Sequence, residues 1–153
     1  NSRVVVVSSL AYKSGEIKFD DLNWKNREYS AFKCYGDSKL ANLLFVNQLN
    51  RFLTDKGVST IAVSAHPGLT ATERQQSIGI GGKLAKWIAS PVEKGVRPQL
   101  LAAIDPQAEA NDFYGPMYGL IGKPMKAKLS QLDKQEAVKL WGFSEKNTGV
   151  VFE

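Results

Sequence analysis

Two strand-like segments separated by one helical segment constrain the fold of this chain more than any other feature. Residues 3–8 form a continuous run rich in valine, and residues 58–65 form a second apolar run that ends before Pro67. Between them, residues 35–53 repeat apolar side chains at helical spacing. Runs of β-branched residues are typical of strands buried on both faces of a parallel sheet. The strand–helix–strand order therefore predicts a parallel sheet with a right-handed crossover.

Tyr35 and Lys39 stand four residues apart near the start of the helical segment. Positions i and i+4 lie on one face of a helix, so the spacing predicts a phenol beside an ammonium group. The positive charge favours the phenolate, and a tyrosine in this setting can exchange a proton with an alcohol or carbonyl oxygen. A hydroxyl from Ser9, at the end of the first strand, can polarise the same oxygen. The structural alternative is a packed tyrosine beside a solvated lysine, with a serine that caps the next turn.

Three stretches of the chain together resemble the short-chain dehydrogenase/reductase family. Residues 3–9 look like the strand that carries the family's serine, residues 35–42 look like its active-site helix, and residues 66–72 look like its Pro-Gly-x-x-x-Thr cofactor loop. Residues 19–24 and the Ser-Lys-Leu-Ala-Asn run resemble retinol-dehydrogenase-like members. The resemblance implies an α/β fold: the C-terminal part of a doubly wound Rossmann-type parallel sheet, with about three strands and flanking helices.

The family's glycine-rich turn, which cradles the cofactor pyrophosphate, has no counterpart in the sequence. The one glycine cluster, at residues 79–82, lacks the required spacing and follows no predicted strand, so it fails the test for a dinucleotide fingerprint. We therefore expect residues 1–153 to be the C-terminal portion of a single dinucleotide-binding oxidoreductase domain. This portion would include the active-site helix and the substrate lobe but lack the N-terminal βαβ half.

The resemblance also implies a role for each matching residue. Tyr35 would donate or accept the proton, and Lys39 would favour the phenolate and bind the nicotinamide ribose. Ser9 would hold the substrate oxygen, with Ser8 the less favoured serine of the pair. Cofactor-binding residues besides Tyr35 and Lys39 would come from the loop: Pro67, Gly68, Leu69, Thr70 and Thr72. The intact protein would transfer a hydride between NAD(P) and an alcohol or carbonyl, and the resemblance favours NADP over NAD.

The expected substrate follows from an apolar segment, and the other expected partners are implied by the family resemblance. Residues 78–88 favour a small hydrophobic alcohol, aldehyde or ketone as substrate, whether they form a core helix or a substrate lid. Other expected partners are the missing N-terminal half and a second copy of the chain, bound through the helix at Tyr35–Leu53. A different possibility stays open, in which the chain is a catalytically inactive fragment that acts only as a binding or assembly unit. Its first strand would then be an unpaired edge, which favours association.

Composition argues against several other functions. The net charge is +5, but the basic residues are scattered, and their densest group, at residues 123–128, is a predicted loop without interleaved aromatics. Nucleic-acid binding is therefore not expected.

No apolar run reaches the roughly 20 residues of a membrane span, and the single cysteine, Cys34, suits a reducing cytoplasm. His66 is the only histidine, so we interpret it as structural and expect no metal site. The sequence also lacks a Gly-x-Ser-x-Gly elbow, so it does not indicate a serine hydrolase.

Three further patterns predict elements in the second half of the chain. Residues 90–93, Ser-Pro-Val-Glu, predict a helix start with serine as N-cap and proline at the first helical position. Pro98 should kink or split that helix. Residues 112–118 predict a short third strand, and the Asp-x-x-Glu pattern at residues 133–136 predicts the start of a final helix.

Overall fold

The computed structural model describes residues 2–70 and 91–152, so the predictions for residues 78–88, Thr72 and Ser90 lie outside the described residues. Its elements, in chain order, are β1 (Arg3–Val7), a 3₁₀ helix (Leu10–Ser14), α1 (Ala31–Asp55), β2 (Ile61–Ala65), α2 (Val92–Gly95), α3 (Arg97–Ile104), β3 (Phe113–Pro116), β4 (Pro124–Lys126) and α4 (Lys134–Thr148). This alternation of strands and helices confirms the predicted α/β class.

The described strands form one sheet in the order β1-β2-β3-β4. β1 and β2 are parallel, with Arg3 opposite Ile61 and Val7 opposite Ala65, and β3 continues the sheet in parallel to β2. The predicted parallel pairing of the first two strands and the predicted third strand are therefore confirmed. β4 corrects the prediction of a loop at residues 123–128, because it pairs antiparallel with β3. Its three residues carry no recognisable strand pattern, so only the pairing with β3 reveals it.

The boundaries of α1 differ from those expected from apolar spacing. The helix begins at Ala31, where the Ser30 side chain accepts a hydrogen bond from the Lys33 N–H, and not at Tyr35. Its first turn is mostly exposed and carries no apolar repeat, so the pattern missed it. The end agrees with the prediction, since Gly57 follows the last turn in a left-handed conformation with φ of +64°.

Capping and proline chemistry explain the later helices. Val96 separates α2 from α3, and Pro98 lies in the first turn of α3, which confirms the predicted split. The Asp133 carboxylate accepts hydrogen bonds from the N–H groups of Gln135 and Glu136 at 2.7 and 3.2 Å, which confirms the predicted start of α4. Among the described residues, no helix combines the length and the apolar content that crossing a bilayer requires.

Apolar residues cover both faces of the sheet. Neighbouring residues of β2 point to opposite sides: Ala62 packs with Val46 and Leu49 of α1, while Val63 packs with Ala102 of α3. Both β2 residues are fully buried. A parallel sheet with helices on both faces is the arrangement expected for a doubly wound fold.

β1 lies at an edge of this sheet. Its pairing with β2 includes the Ile61 N–H, which donates to Ser2, and the Ser8 N–H, which donates to Ala65. Because backbone groups alternate in direction along a strand, the N–H and C=O groups of Arg3, Val5 and Val7 point away from β2. No strand of the described residues pairs with this outer edge.

Candidate active site

Of the predicted site residues within residues 2–70 and 91–152, Ser9 and Pro67–Thr70 follow the carboxyl ends of β1 and β2. Ser9 lies two residues beyond β1, and Pro67–Thr70 begins two residues beyond β2. Because Val7 and Ala65 are partners in the parallel register, these two segments leave the sheet side by side. Open α/β sheets bind their ligands beyond this edge.

Ser8 and Ser9 have different environments. Ser8 is 1% exposed, and its hydroxyl donates a hydrogen bond to the main-chain oxygen of Lys39 at 2.9 Å. The Ser9 oxygen accepts a hydrogen bond from the Ala11 N–H at 3.2 Å and caps the 3₁₀ helix. A hydroxyl has one donor and two acceptor positions, so this cap leaves the Ser9 O–H able to donate. Ser8 therefore ties β1 to α1, and Ser9 is the better candidate for contact with a substrate oxygen.

Tyr35 and Lys39 are neighbours, as their spacing predicts. The Lys39 Nζ lies 5.4 Å from the centre of the Tyr35 ring. The same ammonium group donates a hydrogen bond to the main-chain oxygen of Val7 at 3.4 Å, and the Asn42 side chain donates to that oxygen at 3.0 Å. These contacts hold Lys39 between the end of β1 and the phenol. Asn42 belongs to the Ser-Lys-Leu-Ala-Asn run, but no sequence pattern predicted its hydrogen bond to the end of β1.

Two glycines bring α1 into direct backbone contact with the 3₁₀ helix. A Cβ atom on Gly36 would lie 2.9 Å from the Ala11 oxygen, and one on Gly15 would lie 2.5 Å from the Gly36 oxygen. Either side chain would push the turn that carries Tyr35 away from the segment that begins at Ser9. Sequence reasoning missed this contact, because a glycine inside a helix normally indicates only reduced helix propensity.

The loop after β2 is a tight turn held against the β3–β4 connection. Gly68 has φ of +71°, and a Cβ atom there would collide with the main-chain oxygen of Leu120. That oxygen also accepts a hydrogen bond from the Leu69 N–H at 2.8 Å. The Thr70 hydroxyl donates to the Pro67 oxygen at 3.1 Å, which closes the turn. Glycine is therefore required at this position by both its backbone angle and the close approach of Leu120.

His66 lies between β2 and this loop. The side chain is almost fully buried, and its Nδ1 accepts a hydrogen bond from the Gly68 N–H at 3.2 Å. Burial, with a smaller contribution from the charge of Lys13, lowers the pKa of His66 from 6.5 to about 4. The imidazole is therefore neutral at physiological pH. Residues 2–70 and 91–152 contain no group of three or more His, Cys, Asp or Glu side chains that could hold a metal ion.

The connection between the 3₁₀ helix and α1 is anchored on Asp37. Its carboxylate accepts hydrogen bonds from the Glu16 N–H at 2.9 Å, the Trp24 indole N–H at 3.1 Å and the Arg27 guanidinium at 3.1 Å. The Arg27 guanidinium also lies 3.6 Å from the centre of the Trp24 ring. Asp37 was missed as an anchor, because its partners lie 10 to 21 residues earlier in the chain.

A cavity of about 730 Å³ lies beside this connection. It is lined by Ser14, Glu16, Lys18, Trp24, Arg27, Glu28, Tyr29, Ser30, Lys33 and Asp37. The catalytic candidates Ser9, Tyr35 and Lys39 are not among these residues.

Comparison with known proteins identifies relatives of this chain. No family model matches the chain. Retinol dehydrogenase 13 from Homo sapiens is 34% identical over 160 residues, which cover 97% of this chain and 46% of that protein. Short-chain dehydrogenase TIC 32 A, chloroplastic, from Brassica napus is also 34% identical, over 94% of this chain and 46% of that protein. The chain belongs to the short-chain dehydrogenase/reductase family.

A solved structure supports the same assignment for the fold. An uncharacterized protein from Mycobacterium paratuberculosis is 36% identical, with a TM-score of 0.81 over 100% of this chain and 52% of that chain. The chain spans about half the length of the curated relatives it matches, and the matched region is their C-terminal portion. The observed sheet is therefore the C-terminal part of a short-chain dehydrogenase/reductase fold, as the sequence motifs predicted.

Proposed function

We propose that the whole protein is an oxidoreductase that transfers a hydride between NAD(P) and an alcohol or carbonyl substrate. The observation that carries this proposal is the position of Ser9, the Tyr35–Lys39 pair and the Gly68 turn at adjacent strand ends. Membership of the short-chain dehydrogenase/reductase family, with relatives named as dehydrogenases, supports the same class of reaction.

The proton chemistry follows from the three polar side chains. Tyr35 exchanges a proton with the substrate oxygen, and the Lys39 ammonium lies 5.4 Å from the centre of the Tyr35 ring. Ser9 donates its O–H to the same substrate oxygen and so orients it. The hydrogen bond from Ala11 fixes the position of the Ser9 oxygen, which lowers the entropic cost of aligning the substrate.

The residues present fit the nicotinamide end of a dinucleotide cofactor. Gly68 is partly exposed at this strand end, and its left-handed turn is held against the Leu120 oxygen. Pro67, Leu69 and Thr70 would border the nicotinamide, and Lys39 would bind its ribose; Thr72, outside the described residues, would complete this set. The cofactor would supply or accept the hydride when bound. We propose NADP in preference to NAD on the family resemblance.

The proposed substrate is a small hydrophobic alcohol, aldehyde or ketone. Besides the apolar residues 78–88, the connection that holds the Gly68 turn carries exposed apolar side chains: Met117 is 49% exposed, Tyr118 75% and Leu120 51%. Exposed apolar groups beside a catalytic centre favour an apolar ligand. The name retinol dehydrogenase, carried by several relatives, denotes a substrate of this class.

The test is Tyr35→Phe in the full-length protein, with Tyr29→Phe as the matched control on an exposed tyrosine. Turnover of hydrophobic aldehydes with NADPH should fall about 10²-fold or more in Tyr35→Phe, since general acid–base catalysis contributes about this much. NADPH affinity should stay within a few-fold, and Tyr29→Phe should behave as wild type. Normal turnover in Tyr35→Phe would exclude the assigned role.

A second candidate is the non-catalytic one, in which this chain acts only as a binding or assembly unit. The outward N–H and C=O groups of Arg3 and Val5 favour it, because an open strand edge binds further strands. The proposed homodimer through α1 stays a prediction, although Phe45 of that helix stacks on Trp141 of α4 in the same chain, with ring centres 5.4 Å apart. The cytoplasmic location and the proposed N-terminal partner half also stay predictions.

A further inference from the structure

The His66 ring fills a space shaped by β3 and by the loop that it precedes. Its main-chain N–H donates to the Tyr114 oxygen at 2.8 Å, and its ring stacks on Phe113 with 5.0 Å between centres. A Cβ atom on Gly115 would overlap the His66 Nε2. The imidazole therefore occupies the volume that a side chain at Gly115 would need.

The hydrogen bond to Gly68 fixes the tautomer of this ring. Nδ1 accepts from the Gly68 N–H, so the proton of the neutral imidazole must sit on Nε2. Nε2 is buried and has no hydrogen-bond partner among the described residues. A buried donor without a partner destabilises a fold. Within residues 2–70 and 91–152, the hydrogen bond that Nδ1 accepts is therefore the polar contact that the imidazole ring makes.

Gly68 needs such an acceptor to hold a single conformation. Glycine adopts positive and negative φ about equally well, so its backbone angle of +71° must be selected by contacts. Pro67 has no N–H group, and the His66 N–H is already used by β3. Gly68 is therefore the first residue after β2 whose N–H is available to hold the loop. The N–H of the next residue, Leu69, donates to the Leu120 oxygen.

We propose that His66 is a positioning residue for the cofactor loop. Its Nδ1 holds the Gly68 N–H, and through it the turn that presents Pro67–Thr70 to the nicotinamide. This inference rests on the proposed function, because it assumes that the loop binds the cofactor. The hydrogen bond itself can be tested without any cofactor.

The first experiment measures the ring nitrogens directly. Long-range ¹H–¹⁵N spectra should show Nδ1 as the unprotonated nitrogen and Nε2 as the protonated one, with the signals assigned by their loss in His66→Asn. The spectrum should keep this form well below pH 6.5. A proton on Nδ1, or an imidazolium at neutral pH, would overturn the inference whether or not the protein is an oxidoreductase.

The second experiment separates the Nδ1 acceptor from the rest of the side chain. His66→Asn places an amide oxygen near the position of Nδ1, and His66→Gln places it near Nε2, so the two variants differ in where the acceptor lies. In the full-length protein we expect His66→Asn to keep NADPH affinity within about twofold. His66→Gln and His66→Phe should weaken it about 3–10-fold, the size expected for one neutral hydrogen bond.

The outcomes distinguish this inference from the proposed function. Equal NADPH dissociation constants for wild type, His66→Gln and His66→Phe would overturn the role of His66, while the Tyr35→Phe result would still stand. A wild-type protein that binds neither NADPH nor NADH would overturn the proposed function instead. If His66→Phe fails to fold, the matched comparison of His66→Asn with His66→Gln decides the question.

Discussion

The hydroxyl of Ser8 donates a hydrogen bond to the main-chain oxygen of Lys39 at 2.9 Å. This bond ties the end of β1 to the helical turn that begins at Tyr35. We expect Ser8→Ala to lower the free energy of unfolding by about 1 kcal/mol and to leave turnover within a few-fold. Ser9→Ala should instead reduce turnover about 10²-fold, because it removes the proposed donor to the substrate oxygen.

Urea unfolding and steady-state kinetics on the full-length protein measure both effects of the serine variants. Ser9→Ala also removes the cap of the 3₁₀ helix, at a cost of about 0.5–2 kcal/mol, so the unfolding data alone do not separate the serines. A Ser8→Ala protein that loses as much turnover as Ser9→Ala would show that the catalytic serine has been assigned to the wrong position.

Alanine substitution should change the free energy of unfolding in opposite directions at Gly36 and at Gly142, although both glycines lie inside helices. Gly36→Ala places a Cβ atom 2.9 Å from the Ala11 oxygen, so we expect a loss of about 1–3 kcal/mol in unfolding free energy. Gly142 has no atom within 4 Å of the added Cβ, and alanine there should gain about 0.5–1 kcal/mol from helix propensity. Chemical unfolding of the two variants checks the prediction, and a gain for Gly36→Ala would contradict the described contact.

Asp37 should control how firmly residues 15–30 are held. Asp37→Asn keeps the shape of the side chain but removes the charge that binds Arg27. We expect trypsin to cleave within this connection, at Lys18, Lys25 or Arg27, about tenfold faster than in wild type, since local opening costs less when an anchor is lost. Asp55→Asn, on an exposed aspartate of the same helix, is the control, and equal cleavage rates for both variants would exclude an anchoring role.

His66 should make stability depend on pH between about 4 and 6.5. Its pKa in the fold, about 4, lies below the ordinary value of 6.5, so the unfolded chain binds more protons in this range. The contribution of neutral His66 to the free energy of unfolding is therefore fully present above pH 6.5 and is lost as the pH falls toward 4. This loss amounts to at most about 3 kcal/mol, and solvent screening reduces it. Unfolding measured at pH 7, 5.5 and 4.5 should show a steeper decline for wild type than for His66→Asn. Parallel declines would mean that His66 does not titrate differently on folding.

The parts of the site that sequence patterns predicted are those that local geometry determines. Tyr35 and Lys39 are close because helix geometry places residues four apart on one face. Pro67 and Gly68 follow the second strand because apolar runs end at such turn residues. The parallel pairing of β1 and β2 followed from one helix lying between two apolar runs.

The missed parts depend on residues far apart in the chain. The contact between Gly15 and Gly36 exists only once the 3₁₀ helix packs against α1. The place of the His66 ring is set by Phe113 and Gly115 of β3. None of these residues carries a periodic signal, so each becomes interpretable only when the tertiary packing is known.

The pairing of Arg3 with Ile61 also determines when the site can form during folding. Every residue between these two partners must be gathered into the crossover before β1 and β2 can join, and such long-range closures slow the folding of a chain. α1 can form within about a microsecond on its own, but Ser9 and Gly68 come together only after that closure. Recovery of ligand binding after dilution from denaturant should therefore lag behind the recovery of helical signal.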